Sequence, residues 1–210
     1  SFNRYVTQGH LDVVAVTNHN VFDSSQFREI QQAISAQVFP GIEIDVGAGH
    51  LLLISDGADI ASFDAKCAQV SSRIRNQTDT LTTDELQAIF GDLSDYLLIP
   101  HYQKAPAIRG SDFANLEAFF SAGEVDSAKK FVRAMRDRES LCPVLFSDAR
   151  MQDKMTGLPT RHVFIDCGEV TLSAVKSCLG QKDKVFLSEN DGNALFQVFE
   201  DGQHISTGLN

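Results

Sequence analysis

The 210-residue sequence predicts an α/β domain built on a mostly parallel sheet, open or closed. Three observations point there. Short apolar runs alternate with segments of helical periodicity. Strands that alternate with helices argue for βα units. Unusual polar residues recur where the apolar runs end, and parallel α/β folds gather function at the carboxyl ends of strands.

Taken in order, strands are expected at Leu11–Thr17, Ile42–Val46, His50–Ser55, Tyr96–Ile99, Cys142–Phe146, His162–Ile165, Lys184–Leu187 and Leu195–Phe199. Each is a short run rich in Val, Ile, Leu and Phe. Helices are expected at Ser24–Ser35, Ile60–Arg75, Asp84–Phe90, Asp112–Phe120, Val125–Arg136 and Leu172–Leu179. Thr82-Thr83-Asp84-Glu85 reads as a capping box, with the Thr82 hydroxyl and the Glu85 carboxylate each satisfying a free amide. Gln103–Ser111 and Met151–Thr160 carry Gly, Pro and mixed charge and read as loops. There is no internal repeat and no low-complexity tract.

Composition narrows the class. The chain is 43% hydrophobic and 22% charged, which suits a globular domain with its own core. A net charge of −10 disfavours non-specific attraction to a phosphate backbone. Bound divalent cations would reverse that sign locally, so nucleic acid stays open as a substrate. Cys67, Cys142, Cys167 and Cys178 form no CxxC pair and read as thiols of a reducing cytoplasm. No apolar run nears the roughly 20 residues that span a bilayer, so no membrane partner is expected.

The strand ends carry the chemistry. Asn18 and His19 follow the first strand, Glu43 sits in "PGIEIDV", and His50 opens "HLLLIS". His101 follows "LLIP", and Ser147-Asp148 follow "PVLF". A lone His at a strand end is ordinarily a hydrogen-bonded or surface group, and Asp148 alone reads as a cap. Glu43 is harder to set aside, because a carboxylate inside an apolar strand needs a partner. Three His and two carboxylates on successive strands suit a metal cluster for Zn, Mn or Fe. His10, His162 and His204 do not share that placement and take no ligand role.

In order, these segments resemble the PHP (polymerase and histidinol phosphatase) family of metal-dependent phosphoesterases, built on a distorted (βα)7 barrel. "VVAVTNHN" is similar to the family's "ITDHN"-type motif, so His19 matches a metal-binding His. "GIEIDV" resembles the motif of the bridging glutamate at Glu43. "GHLLLIS" and "LLIPHYQK" resemble the motifs that place His50 and His101 as ligands. "LFSDAR" resembles "SDAH", so Asp148 matches its metal-binding aspartate. Two departures accompany the match. The opening HxH motif does not precede His19, so the barrel is expected to be incomplete at its N-terminal strand. Arg150 stands in place of a second His, and Asn18 in place of Asp. The resemblance thus implies one intact site at Glu43, His50 and His101, with Asp148 half of a second and His19 isolated in a third.

Residues 161–188 resemble the stretch closing PHP domains fused to large ATPases. "FQVFEDGQHISTGLN" is similar to the segment before the phosphate loop of ABC/SMC-type ATPases. The implied organisation is a PHP-like domain over 1–188 and the start of an ATPase-type domain, or a terminal β-hairpin, over 189–210. The implied function is phosphoester hydrolysis on nucleic acid, in the cytoplasm, with divalent metal ions as cofactors. Lys104 and Arg150 are the candidate catalytic charge partners for phosphate, with an ion pair to Asp148 as the alternative role of Arg150. Residues 124–138 carry a basic face of Lys129, Lys130, Arg133 and Arg136. The alternative is a catalytically degenerate PHP-like module with a regulatory or protein-interaction role.

Overall fold

Six strands hydrogen-bond in sequence order in the computed structural model, which describes residues 2–147 and 162–187. They are β1 (Val13–His19), β2 (Gln37–Val46), β3 (Gly49–Ile54), β4 (Leu97–Gln103), β5 (Gly123–Val125) and β6 (Pro143–Val144). The sheet curls into a half-barrel within a mixed α/β fold. Strands β7 (Val163–Ile165) and β8 (Val185–Leu187) form a separate antiparallel ribbon. Seven α-helices accompany them among the described residues: α1 (Phe2–Gln8), α2 (Ser24–Ala33), α3 (Ile60–Arg73), α4 (Thr83–Phe90), α5 (Gly110–Leu116), α6 (Ala128–Arg136) and α7 (Leu172–Leu179).

The pairing amends the expected parallel sheet at one strand. β1 and β2 are parallel, as are β4 with β5 and β5 with β6, but β3 runs antiparallel to both neighbours. The cause is local. Only Gly47 and Ala48 separate β2 from β3, a connection that permits a hairpin and no crossover helix. Gly47 takes the positive φ of 56° that the turn requires. β2 also begins at Gln37 rather than at Ile42, because Pro40 interrupts the apolar run without ending the strand. Pro40 lies just before the residues that pair with β3, so its missing N–H costs that ladder nothing.

Two further differences lie in short elements. The helix expected from Val125 begins at Ala128 instead, because Val125 ends β5, and the Asp112–Phe120 segment becomes α5 followed by a 3-10 turn over Glu117–Phe119. The capping box of α4 forms, with the Thr82 N–H donating to Glu85 at 2.9 Å and the Glu85 N–H to the Thr82 hydroxyl at 3.2 Å. Leu195–Phe199 and Met151–Thr160 lie outside the described residues.

Strand periodicity divides the core. Ile42, Ile44, Val46, Leu51, Leu53 and Leu98 face the side covered by α2, α3 and α4, where Phe27, Phe63, Val70 and Leu86 pack on them. Phe39, Leu52, Ile54, Leu97, Ile99 and Val144 line the other face, with Phe131 of α6 and Leu172, Val175 and Leu179 of α7. That second face is apolar along most of its length. Its last rung is not.

Candidate metal centre

Six ionisable residues from five strands share that last rung. His19 pairs in register with Glu43, Asp45 with His50, and His101 with Glu124. Residues directly opposite in a ladder point to the same face, and Glu43 and Asp45, two apart on β2, share it too. The reversed strand is what brings His50 in. As the second residue of an antiparallel strand, it lies at the same end of the sheet as the carboxyl ends of β1, β2 and β4. The three imidazoles stand in a row, with ring centroids 4.8 Å apart for His19 and His50 and 5.0 Å for His50 and His101.

His50 sits between two acids. Its Nδ1 is 2.7 Å from Glu43 Oε1 and its Nε2 is 2.8 Å from Asp45 Oδ1. His19 Nε2 reaches the same Asp45 oxygen at 2.8 Å. Asp45 is further held by Asn20, whose Nδ2 donates to Oδ2 at 2.8 Å while its Oδ1 accepts from the Asp45 N–H at 2.9 Å. Asn20 adopts a left-handed φ of 58°, a conformation that Asn tolerates better than most residues.

At the inner end, His101 Nε2 faces Glu43 Oε1 at 3.4 Å and Glu124 Oε2 at 3.2 Å. His101 and Glu124 are each only 2% exposed. Among the described residues, neither ring nitrogen of His101 has a hydrogen-bond partner, nor does Glu124 Oε2. Buried polar atoms without partners are rare, and a bound ion is one of the few arrangements that accounts for them. The other Glu124 oxygen, Oε1, accepts from Lys104 Nζ at 2.9 Å.

The charges shape one another. Burial pushes the Glu43 carboxyl up, but the His50 hydrogen bond and the charges of His101, His50 and Lys104 outweigh it, leaving Glu43 below its ordinary value. The Glu43 hydrogen bond raises His50; burial opposes this, and the Asp45 and Glu43 charges reinforce it.

Among the described residues, two overlapping groups have the donors for a metal ion: His19, Asp45 and His50, and Glu43, His50 and His101. Within each, the ligand atoms lie within 4.8 Å of one another. Imidazole with carboxylate suits Zn, Mn or Fe. His50 belongs to both groups, with its Nδ1 on the Glu43 side and its Nε2 on the Asp45 side. A neutral imidazole has one lone pair, so a cation bound at one nitrogen leaves the other to donate to the acid on its own side.

The structure thus brings together four of the expected ligands, His19, Glu43, His50 and His101, with Lys104 beside them. His19, isolated by the family resemblance, lies with Asp45 and His50. Asp148 and Arg150 lie outside the described residues. Asp45 and Glu124 were not among the expected ligands. Asp45 had a signal, since it lies two residues from Glu43 on one strand face. Glu124 had none, because the three-residue β5 is too short to show a period and runs straight into the stretch read as a helix from Val125. No protein-family profile matches the chain, and no curated protein is detectably similar to it in sequence.

Proposed function

We propose that this chain is a divalent-metal-dependent phosphoesterase domain of the PHP type, its sheet part of a distorted (βα)7 barrel. The observation that carries the proposal is His101. A buried imidazole with no hydrogen bond, facing two carboxylates, is costly unless a cation shares the site. A bound divalent cation supplies Lewis acidity, polarising a phosphoryl oxygen and bringing a water towards ionisation near neutral pH. The chain's own residues do the rest. Glu43 joins the two ends of the cluster. Asn20 orients Asp45. His19, the most exposed of the three imidazoles, stands at the solvent side, where a substrate enters. Lys104 provides positive charge for a phosphate oxygen once it leaves Glu124.

Nucleic acid as the substrate is supported by the exposed Lys129, Arg133 and Arg136 of α6. Lys130 does not belong to that set, since it is tied to Asp126 at 2.6 Å and to the Gln103 carbonyl at 2.8 Å. This last bond sets the start of α6 beside the end of β4, which carries His101 and leads into Lys104. A following ATPase domain and a cytoplasmic setting rest on the sequence resemblance and the free thiols alone. No helix among the described residues is long and apolar enough to cross a membrane.

A second reading has its own observation. Glu43, Asp45 and Glu124 each have a short contact to a His or Lys of the cluster, as a domain that has lost catalysis and kept its scaffold would show. Metal content of the purified protein, with Glu43→Ala beside it, separates the readings. The phosphoesterase reading expects transition metal in the wild type, loss of it in the variant, and Mn²⁺-dependent hydrolysis of bis(p-nitrophenyl) phosphate. Metal without hydrolysis supports the regulatory module. Negligible metal in both proteins removes the basis of the proposal.

A further inference from the structure

Glu124 stands at the meeting point of two competing cations. Its Oε1 accepts from Lys104 Nζ at 2.9 Å, while its Oε2 lies 3.2 Å from His101 Nε2 without a hydrogen bond. That same imidazole nitrogen faces Glu43, so Glu124 borders the group formed by Glu43, His50 and His101. The partners differ in freedom. The Glu124 side chain is 2% exposed on a central strand, whereas that of Lys104 is 19% exposed on a loop after β4 and has four methylenes on which to swing into water. A divalent ion also binds a carboxylate more strongly than an ammonium does, since it carries twice the charge.

We infer that Lys104 is a displaceable internal cation of this centre: it neutralises Glu124 in the metal-free protein and gives that carboxylate up as a further ligand when a divalent ion binds among Glu43, His50 and His101. The inference rests on the metal-binding reading above, and it makes Lys104 a determinant of metal affinity. Among the described residues three carboxylates, Glu43, Asp45 and Glu124, converge here, and in the metal-free protein Lys104 offsets the charge of one of them.

The test is Mn²⁺ titration calorimetry on the 210-residue chain, with circular dichroism and thermal melting of each protein. Lys104→Met removes the competitor and is expected to bind Mn²⁺ at least tenfold more tightly than the wild type, with a larger rise in Tm on adding metal. Lys104→Met with Glu124→Gln is expected to lose that gain. Glu124→Gln keeps the side-chain shape, and its folding is checked by the same circular dichroism; it is expected to bind Mn²⁺ more weakly than the wild type, whereas a purely structural ion pair would leave affinity unchanged. Unchanged or weaker binding by a folded Lys104→Met protein overturns the inference while leaving the metal site standing. Should Lys104→Met fail to fold, Glu124→Gln decides alone, and wild-type affinity there overturns the inference. Binding by Lys104→Met with none by the wild type shows that a divalent ion does not displace Lys104, and overturns both the inference and the phosphoesterase reading. No binding by any of the proteins overturns both.

Discussion

Asn20 offers the sharpest separation of backbone strain from site positioning. Its side chain makes two hydrogen bonds to Asp45, one to the carboxylate at 2.8 Å and one from the backbone N–H at 2.9 Å. A bond to a charged group contributes about 1.5–3 kcal/mol and a neutral one about 1 kcal/mol, and this partly buried pair belongs at the low end. Losing both therefore costs ~2–3 kcal/mol in either Asn20→Ala or Asn20→Gly. The backbone distinguishes the two. At φ 58° the left-handed region costs Ala roughly 1–2 kcal/mol. Gly escapes that cost but loses ~0.4–1 kcal/mol through the greater freedom of its unfolded chain. Asn20→Gly is thus expected to be the more stable variant, by about 0.5–1 kcal/mol, in urea unfolding with EDTA present. Both should bind Mn²⁺ some 10–100-fold more weakly, since each removes the group that orients Asp45. Equal stability, or a more stable Asn20→Ala, refutes the strain argument. Wild-type Mn²⁺ affinity in both refutes the positioning argument.

Two other perturbations follow from packing and charge. A Cβ on Gly49 would lie 2.4 Å from the Ile108 nitrogen and 2.5 Å from the Ala107 carbonyl carbon, both backbone atoms, so Gly49→Ala must shift β3 and its neighbour His50. It is expected to cost about 1–3 kcal/mol and to weaken metal binding, while Gly168→Ala, with open space around it, stays within about 0.5 kcal/mol by thermal melting. In the metal-free protein the His50 pKa is raised above its ordinary 6.5, so its contribution to stability is complete below about 6.5 and is lost as pH rises through the folded value. His50→Gln should flatten that part of the stability curve; an unchanged curve would show that the His50 contacts contribute nothing. Metal binding has the opposite sign, because His50 must release a proton, so Mn²⁺ affinity should rise with pH over the same window.

Much of the site was legible because metal-type residues interrupt apolar runs. His19, Glu43, His50 and His101 each stand at or near the end of a strand whose hydrophobic pattern is clear, and a period of two tells which residues share its face. Asp45 was readable by the same rule. Glu124 was not, because three residues are too few to show a period, and the helix that follows so closely masks them. Lys104 could be named as a cation near the site, but its partner could not, since the two are twenty residues apart and meet only through the β4–β5 pairing.

By itself the sequence determined the α/β class, the capping box of α4, the apolar strands and four of the residues that converge, because propensity, capping and periodicity act within a few neighbouring residues. The tertiary structure decided that β3 runs backwards, that His50 thereby lies between Glu43 and Asp45, and that Glu124 joins His101 to Lys104. Those facts depend on register between strands distant in sequence. Register is set by which faces bury together, and no local pattern carries that information.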